Sequence, residues 1–384
     1  IRDRLSICFE GFLLMKNFIL AFISIILSFS AFADVDKRYV KKRMLGVDLS
    51  SRDGKGPTPV TFFENKSPKK TEQGEKLNLD KFFKAPGNFS AVAMKDGKIV
   101  YERYNKKLKA NPDFHAHGMS LTKTAVGLTV GHLLCTGKIN SLDDAASDYS
   151  QSLNNSIYKD ITIRNLLRMA SGINKNRDNE RKINHLMRNR RDNGTNNLIE
   201  VIKSVKTKFS DQGEISRYHS LDITAASILV SEITNKSVAE VFFNNVFPQI
   251  NPEGSLYWWV DNNKMSLGMA GLYMKTKDWA NLGNYMNKEI TSKSCMGNYL
   301  LDGIKNSLST SLRKNLRYGY YFWISEISGK QVIMLTGKWG QIVVPNHYNN
   351  SVFAILSASS KFKYKGRKII TEIVPEATKA LGAF

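Results

Sequence analysis

The hydrophobic and polar positions divide the chain into a first set of strands, a long helical middle and a second set of strands. Residues 89–94 form an apolar run, Asp96-Gly97 is a two-residue hairpin signal, and residues 98–104 return as a second strand. In the last third, short β-branched or aromatic runs separated by polar turns predict further strands. These runs cover residues 318–325, 331–336, 340–345 and 352–357.

Between the two sets of strands, apolar residues recur at helical spacing. The first helix of this middle part covers residues 119–135, and Thr162 is a plausible N-cap for a helix over 162–169. Further helices are predicted over residues 196–205, 221–234, 238–246 and 277–288. A closing helix is predicted over residues 366–381.

This order of elements predicts an α+β fold of the α/β-sandwich type. Strands from both ends of the chain would meet in one antiparallel sheet flanked by helices. The middle part, roughly residues 140–290, would form an inserted, mainly helical subdomain, and a cleft between two such lobes is a usual place for a small-molecule site. We assign residues 81–384 to this domain and the polar residues 34–80 to an extended lead-in.

Residues 1–33 are typical of a leader and signal peptide. Lys16 precedes an apolar run over residues 18–27, and Ala31-Phe32-Ala33 supplies a small-x-small cleavage site. The run is too short to span a bilayer comfortably. We expect cleavage after Ala33 and a periplasmic or secreted protein; an uncleaved membrane anchor is the alternative.

Cysteine usage adds little to this expectation. The mature chain would keep Cys135 and Cys295, and Cys135 lies in an apolar helical stretch. We therefore predict a buried thiol rather than half of a disulfide. No metal or organic cofactor is expected, because the histidines lack the spacing of a metal site. Those considered are His115, His117, His132 and His219.

The net charge of +22 limits the partner classes. It favours anionic surfaces such as lipid headgroups and cell-wall polymers, so the cell-envelope surface is one candidate partner. The alternative is a compositional bias of the whole chain. The densest basic stretch, residues 175–191, is typical of a solvated loop. No nucleic-acid-binding module is recognisable, and we expect a monomer.

The pattern Ser-x-x-Lys occurs five times, and only the match at Ser120 opens a long apolar helix. The other matches begin at Ser67, Ser156, Ser311 and Ser360. Residues three apart on a helix lie on one face, so Lys123 can reach the Ser120 hydroxyl. A serine hydroxyl needs such a base to become a nucleophile. The helix N-terminus also offers the Ser120 N–H to a developing oxyanion. The alternative is a cap serine followed by a surface lysine.

The residues around this motif closely resemble the serine β-lactamase and penicillin-binding-protein superfamily. The resemblance rests on two segments, His117 to Thr124 running on to Asp143-Asp144, and Ile161 to Ile173 with its Ser-Gly turn. It implies that Ser120 is the nucleophile and Lys123 the base. The second element of the superfamily, Tyr-x-Asn or Tyr-x-Ser, matches Tyr218-His219-Ser220.

The resemblance implies that Tyr218 moves protons between nucleophile and leaving group, with Ser220 in support. The third element, a Lys-Thr-Gly strand, is placed at Leu335-Thr336-Gly337, which makes the N–H of Lys338 the second oxyanion donor. Thr336, Gly337 and Trp339 would then contact substrate. A rival register puts Lys338-Trp339-Gly340 on the motif and moves the donor to Gln341.

We prefer the first register because Gly-x-x-Gly-Gln before a strand that ends in Pro345 resembles the 6-aminohexanoate-dimer-hydrolase branch. Trp258-Trp259 resembles the same branch, and these rings either wall an acyl pocket or belong to the core. In β-lactamases and D,D-peptidases the strand lysine holds the substrate carboxylate, and Leu335 cannot pair with one. The sequence therefore predicts a serine hydrolase of esters or amides. A β-lactamase or D,D-carboxypeptidase and a catalytically silent cell-envelope binding protein are the alternatives.

Overall fold

The computed structural model describes residues 60–173, 197–261, 263–310, 315–358, 363–364 and 367–382. The predicted leader, the beginning of the lead-in and the basic stretch over residues 175–191 lie outside the described residues. The strands in chain order are β1 (Val60–Phe63), β2 (Asn88–Lys95), β3 (Lys98–Tyr104), β4 (His115–His117), β5 (Leu256–Trp259), β6 (Leu272–Lys275), β7 (Leu308–Ser309), β8 (Arg317–Tyr318), β9 (Trp323–Ile327), β10 (Lys330–Gly337), β11 (Gln341–Asn346), β12 (Ser351–Ser357), β13 (Lys363–Tyr364) and β14 (Arg367–Lys368).

The main sheet joins the two ends of the described chain. Its eight antiparallel strands run in the order β3-β2-β12-β11-β10-β9-β8-β7. The hairpin between β2 and β3 turns at Asp96-Gly97, both with positive φ, as a tight two-residue turn requires. Pairing of β2 with β12 closes the N-terminal strands onto the C-terminal ones. The predicted α+β class and the shared antiparallel sheet are therefore confirmed.

A second sheet was not predicted from the sequence. Its four strands run in the order β1-β5-β6-β4, so the lead-in contributes an edge strand. Trp258 and Trp259 on β5 are fully buried, which places both rings in the core rather than in a pocket wall. The short strands β5 and β6 are mostly buried and show no apolar-polar alternation by which they could have been recognised.

The helices in chain order are α1 (Asp80–Phe83), α2 (Thr122–Cys135), α3 (Gln151–Asn154), α4 (Ile163–Leu167), α5 (Leu198–Lys203), α6 (Leu221–Thr234), α7 (Val238–Val241), α8 (Thr276–Ser292), α9 (Cys295–Lys305) and α10 (Val374–Ala380). Helix α6 has the predicted bounds, and Thr162 caps α4 by accepting the N–H of Asn165. The predicted helix over residues 238–246 is α7 continued by a π-helical turn over Phe242–Val246. Among the described residues, no helix has both the length and the apolar character needed to cross a membrane.

Helix α2 lies in the interior of the molecule. Of its 14 residues, 11 are buried, so it is apolar on nearly every side, as a core helix is expected to be. Helix α8 covers the face of the main sheet formed by β2, β11 and β12. The helical lobe that contains α6 packs against α2 from another side.

Three local predictions were wrong. Cys135 and Cys295 form a disulfide, because the C-terminal end of α2 meets the start of α9 with the two Cα atoms 5.8 Å apart. The predicted strand over residues 318–325 is divided between β8 and β9, since Tyr321 takes a positive φ in the intervening turn. The predicted closing helix is preceded by β14 and a π-helical turn over Ile369–Ile373, so only Val374–Ala380 is α-helical.

Candidate active site

Ser120 lies on a tight turn that leads directly into α2. The turn is a 3₁₀ segment over Met119–Leu121, and Met119 has a φ of 52°, which is uncommon for a residue with a side chain. The hydroxyl of Thr122 donates to the Met119 carbonyl at 2.7 Å and accepts the N–H of Leu272 at 3.2 Å. These bonds hold the strained residue in place, as is common next to a functional group.

Gly118 allows this turn to sit deep in the fold. A Cβ at this position would lie 2.2 Å from the ring of Trp279, so only glycine fits without displacing the indole. Trp279 is fully buried in α8. The turn that presents Ser120 is therefore braced by the helix that covers the main sheet.

Lys123 lies within hydrogen-bonding distance of the Ser120 hydroxyl. Its side chain is buried, with 3% of the residue surface exposed, and Nζ donates to Oγ of Ser120 at 3.1 Å. Nζ also donates to the carbonyl oxygen of Met269 at 2.5 Å. Two oriented acceptors hold the amine in one position, and the contact with Oγ is a path along which a proton can pass. No pattern in the sequence indicated Met269, which is 146 residues from Lys123.

Tyr218 packs over the lysine from the helical lobe. Nζ of Lys123 lies 5.3 Å from the centroid of its ring. The ring stacks on Trp323 with centroids 5.3 Å apart and meets the edge of Tyr318 at 5.6 Å. Burial, with a smaller contribution from Tyr218, raises the pKa of the Tyr318 phenol well above its usual value, so Tyr318 stays neutral. The structure thus brings Ser120, Lys123 and Tyr218 together.

Ser220 occupies the N-cap position of α6 but does not use its side chain as a cap. Its carbonyl oxygen accepts the N–H of Thr224 at 3.2 Å and the hydroxyl of Thr224 at 2.7 Å. The side chain is partly exposed, two residues from Tyr218.

Strand β10 runs directly against the turn that carries Ser120. A Cβ on Gly337 would lie 2.5 Å from the carbonyl oxygen of Gly118, so glycine is needed for the close approach. Thr336 is buried beside it, and Leu335 is buried in the core with 1% of its surface exposed. The strand ends at Gly337. The preferred register therefore lies on the strand, and the rival register falls on the following turn.

The turn after β10 carries Lys338 and Trp339. Lys338 is exposed, with Nζ 5.2 Å from the ring centroid of the partly exposed Trp339. The buried amide of Gln341 donates to the carbonyl of Lys338 at 3.1 Å and to that of Ser357 at 2.5 Å. Its oxygen accepts the N–H of Ser357 at 3.1 Å. Gln341 thus holds the turn after β10 in place, a role that its position in the sequence did not indicate.

Tyr321 connects helix α2 to helix α6 behind the site. Its carbonyl oxygen accepts the hydroxyl of Thr124 on α2 at 2.9 Å, and its own hydroxyl donates to the carbonyl of Asp222 on α6 at 3.2 Å. The helix that carries Lys123 and the helix that follows Tyr218 are therefore tied to one residue. Within the described residues, no group of three or more histidine, cysteine, aspartate or glutamate side chains is arranged to hold a metal ion.

Comparisons with known proteins agree with this geometry. The sequence matches the model of the Beta-lactamase family over residues 79–372. The chain therefore belongs to the beta-lactamase family and to the superfamily that this family shares with the penicillin-binding proteins. The resemblance inferred from the motifs is confirmed. No curated protein matches the sequence.

Several solved structures have the same fold. A candidate 6-aminohexanoate-dimer hydrolase from Bacillus anthracis superposes with a TM-score of 0.69 at 19% identity, covering 84% of this chain and 90% of its own. EstCE1, a hydrolase with promiscuous acyltransferase activity, gives 0.60 at 12% identity, with 77% and 93% covered. A penicillin-binding protein from Bacillus halodurans gives 0.56 at 16% identity, with 77% and 97% covered. At these identities the similarity establishes the fold.

Proposed function

We propose that the protein is an exported serine hydrolase that cleaves an ester or amide bond through an acyl-enzyme on Ser120. The observation that carries this proposal is the 3.1 Å contact between Nζ of the buried Lys123 and Oγ of Ser120. A buried amine beside a serine hydroxyl, at the start of a core helix, supplies a nucleophile and its base.

In the proposed mechanism, Nζ of Lys123 accepts the hydroxyl proton as Oγ attacks the substrate carbonyl carbon. The tetrahedral oxyanion then accepts hydrogen bonds from the N–H groups of Ser120 and Lys338. When the intermediate collapses, Tyr218 donates a proton to the departing alcohol or amine and regains one from the Lys123 ammonium. Water hydrolyses the resulting ester on Ser120 and restores the enzyme. No metal or organic cofactor takes part.

The proposed substrates carry little negative charge at the end that meets β10. Leu335 replaces the lysine that binds the substrate carboxylate in β-lactamases and D,D-peptidases, and its buried side chain offers no cation. Thr336, Gly337 and Trp339 would contact the substrate beside the turn, with Ser220 across from them. The similarity to a candidate 6-aminohexanoate-dimer hydrolase and to a promiscuous acyltransferring hydrolase supports ester or amide cleavage.

Turnover of β-lactams by a β-lactamase or D,D-carboxypeptidase activity is the second candidate function. Its support is Lys338, an exposed cation one residue beyond the strand that lines the site. Hydrolysis of a chromogenic cephalosporin and of a short-chain nitrophenyl ester by the same preparation separates the two functions. We expect the ester to be hydrolysed faster.

The direct test of the acyl-enzyme is intact-mass analysis after exposure to a panel of esters, amides and β-lactams. We expect one acyl adduct on the wild-type protein and none on the Ser120→Ala variant, because the Ser120 hydroxyl is the one that Lys123 contacts. An adduct on another serine would contradict the site assignment. A folded wild type that gives no adduct with any panel member or with a fluorophosphonate probe would indicate a silent binding protein instead.

Export through residues 1–33 is part of the proposal. The Cys135–Cys295 disulfide supports it, since such bridges persist in oxidising compartments such as the periplasm. The charge of +22 supports contact with the anionic cell envelope. Mass analysis of the protein recovered from its native compartment tests cleavage after Ala33.

A further inference from the structure

His219 lies inside the turn that presents Tyr218, and its ring faces inward. Only 3% of its surface is exposed. Nδ1 accepts the N–H of Leu221 at 3.1 Å, so the proton of the neutral ring is on Nε2. Nε2 lies 3.4 Å from Oδ2 of Asp222. Both nitrogens are therefore engaged in holding the turn, which leaves neither of them to act on a substrate.

Asp222 is a fixed anchor for this ring. The residue is fully buried in the first turn of α6, where the helix dipole favours negative charge. Its carboxylate accepts the hydroxyl of Ser171 at 2.6 Å, the N–H of Ser171 at 3.3 Å and the hydroxyl of Tyr158 at 3.1 Å. A carboxylate that accepts three hydrogen bonds is held in one orientation. The His219 ring that contacts it is therefore held in one orientation as well.

Aromatic rings and a backbone hydrogen bond also hold this part of the chain. Trp323 and Tyr318 contact Tyr218 and fix the plane of its ring. The N–H of Arg217, the residue before Tyr218, donates to a backbone carbonyl at 2.9 Å. The contact between His219 and Asp222 adds a side-chain restraint at the residue that directly follows Tyr218.

We propose that His219 is a positioning residue, which holds the phenol of Tyr218 at Lys123 through its contact with Asp222. This inference rests on the proposed function, because it concerns the proton that Tyr218 gives to the leaving group. It assigns no contact between His219 and substrate. Loss of His219 would therefore disturb the geometry of proton transfer from Tyr218 and would leave the nucleophile unchanged.

Leaving-group dependence tests the proposal. Nitrophenolate departs without a proton, whereas an alkoxide requires one. The variant His219→Asn keeps an acceptor for the Leu221 N–H and loses the contact with Asp222. We expect it to reduce kcat/KM about 30-fold for an alkyl ester and about threefold for the nitrophenyl ester of the same acid. His219→Gln, whose amide can reach Asp222 and donate to it, is expected to stay within about threefold of wild type on both esters.

Two comparisons separate positioning from general loss of structure. In a Tyr218→Phe background, His219→Asn should cause little further loss on the alkyl ester, because the group that it positions is already absent. His132→Asn, on a partly buried histidine of α2 away from the site, should leave both rates unchanged. Equal losses on the two esters, or a full additional loss in the Tyr218→Phe background, would overturn the proposal.

If His219→Asn does not fold, Ser171→Ala replaces it, since this change removes one hydrogen bond from Asp222 without touching the turn. It should give the same preference for the nitrophenyl ester at smaller size, and an unchanged ratio would count against the inference. Failure of the proposed function looks different: the wild type would not be labelled on Ser120, or Tyr218→Phe itself would lose both esters equally.

Discussion

The N-terminal end of helix α2 is held by strained backbone and buried polar contacts, whereas its C-terminal end is held by a covalent bond. At the first end, Met119 has a positive φ and the buried Lys123 reaches Ser120 and a carbonyl oxygen. At the other end, Cys135 is bridged to Cys295 at the start of α9. Strain and buried polar groups reduce stability, while a long-range cross-link increases it.

The comparison indicates that the two ends of α2 contribute differently: the groups for the proposed chemistry lie at one end, and the stabilising cross-link lies at the other. The site end places the proposed nucleophile and base where burial is costly, and the far end contributes stability without taking part in the proposed reaction. Changes at the two ends should therefore have opposite signatures: loss of activity with little loss of stability at one, and the reverse at the other.

The largest effect is expected for Lys123→Met. Methionine fills similar space but cannot accept the Ser120 proton, so kcat for a nitrophenyl ester should fall by about 10³-fold. The free energy of unfolding should change by about 1 kcal/mol or less, since loss of the buried amine offsets the cost of leaving the Met269 carbonyl oxygen without its donor. Ester kinetics and urea denaturation measure the two quantities.

Lys138→Met is the matched control, because this exposed lysine lies just beyond the other end of α2. It should leave kcat and stability unchanged. A Lys123→Met variant that retained activity would show that another group serves as the base.

Removal of the disulfide is expected to give the reverse pattern. The bridge closes a loop of 160 residues, and its loss in the Cys135→Ser/Cys295→Ser variant should lower the free energy of unfolding by about 2–4 kcal/mol. At a temperature where the variant is folded, kcat should remain within about twofold of wild type, because the site lies at the opposite end of the helix.

Urea denaturation of the wild type with and without a reducing agent provides an independent measurement. The loss in free energy of unfolding on reduction of the wild type should equal the loss measured for the double variant. A large loss of kcat in the folded variant would mean that the far end of α2 does control the position of Ser120, and the comparison would fail.

Gly337→Ala tests whether the site end depends on close backbone contact. The added Cβ would lie 2.5 Å from the Gly118 carbonyl oxygen and should push β10 away from the turn that carries Ser120. We expect a stability loss of about 1–2 kcal/mol from the overpacking. Displacement of the Lys338 N–H from the oxyanion position should also reduce kcat about tenfold.

Gly329→Ala is the control for this prediction. Gly329 has a positive φ but nothing within 4 Å of the added Cβ, so its replacement should reduce stability and leave kcat unchanged. Equal kcat for both variants would argue against an oxyanion donor at Lys338.

The parts of the fold that could be predicted from sequence are those with a local signal. The β2–β3 hairpin follows from a turn dipeptide between two apolar runs, and α6 follows from helical spacing. The site was predictable for the same reason, since Ser120 and Lys123 are three residues apart at the start of an apolar helix. The assignment of Tyr218 and of residues 335–337 of β10 to the site depended on resemblance to a known superfamily.

Other features had no local signal. Strands β5 and β6 are short and buried, so no apolar-polar alternation marked them. The Met269 carbonyl reaches Lys123 across 146 positions, and Asp222 and Gln341 are oriented by Ser171 and Ser357, which lie 51 and 16 positions away. Backbone carbonyls in particular leave no trace in the identity of the residue that carries them.

The sequence by itself determined the coarse order of strands, helical middle and strands, the α+β class and the pairing of serine with lysine, because periodicity and i, i+3 spacing act within a few residues. Only the tertiary structure decided that Tyr218 lies over Lys123, that Gly337 touches Gly118 and that Cys135 reaches Cys295. These contacts join residues from about 95 to more than 200 positions apart, and their distances depend on how buried surfaces pack, which no single segment encodes.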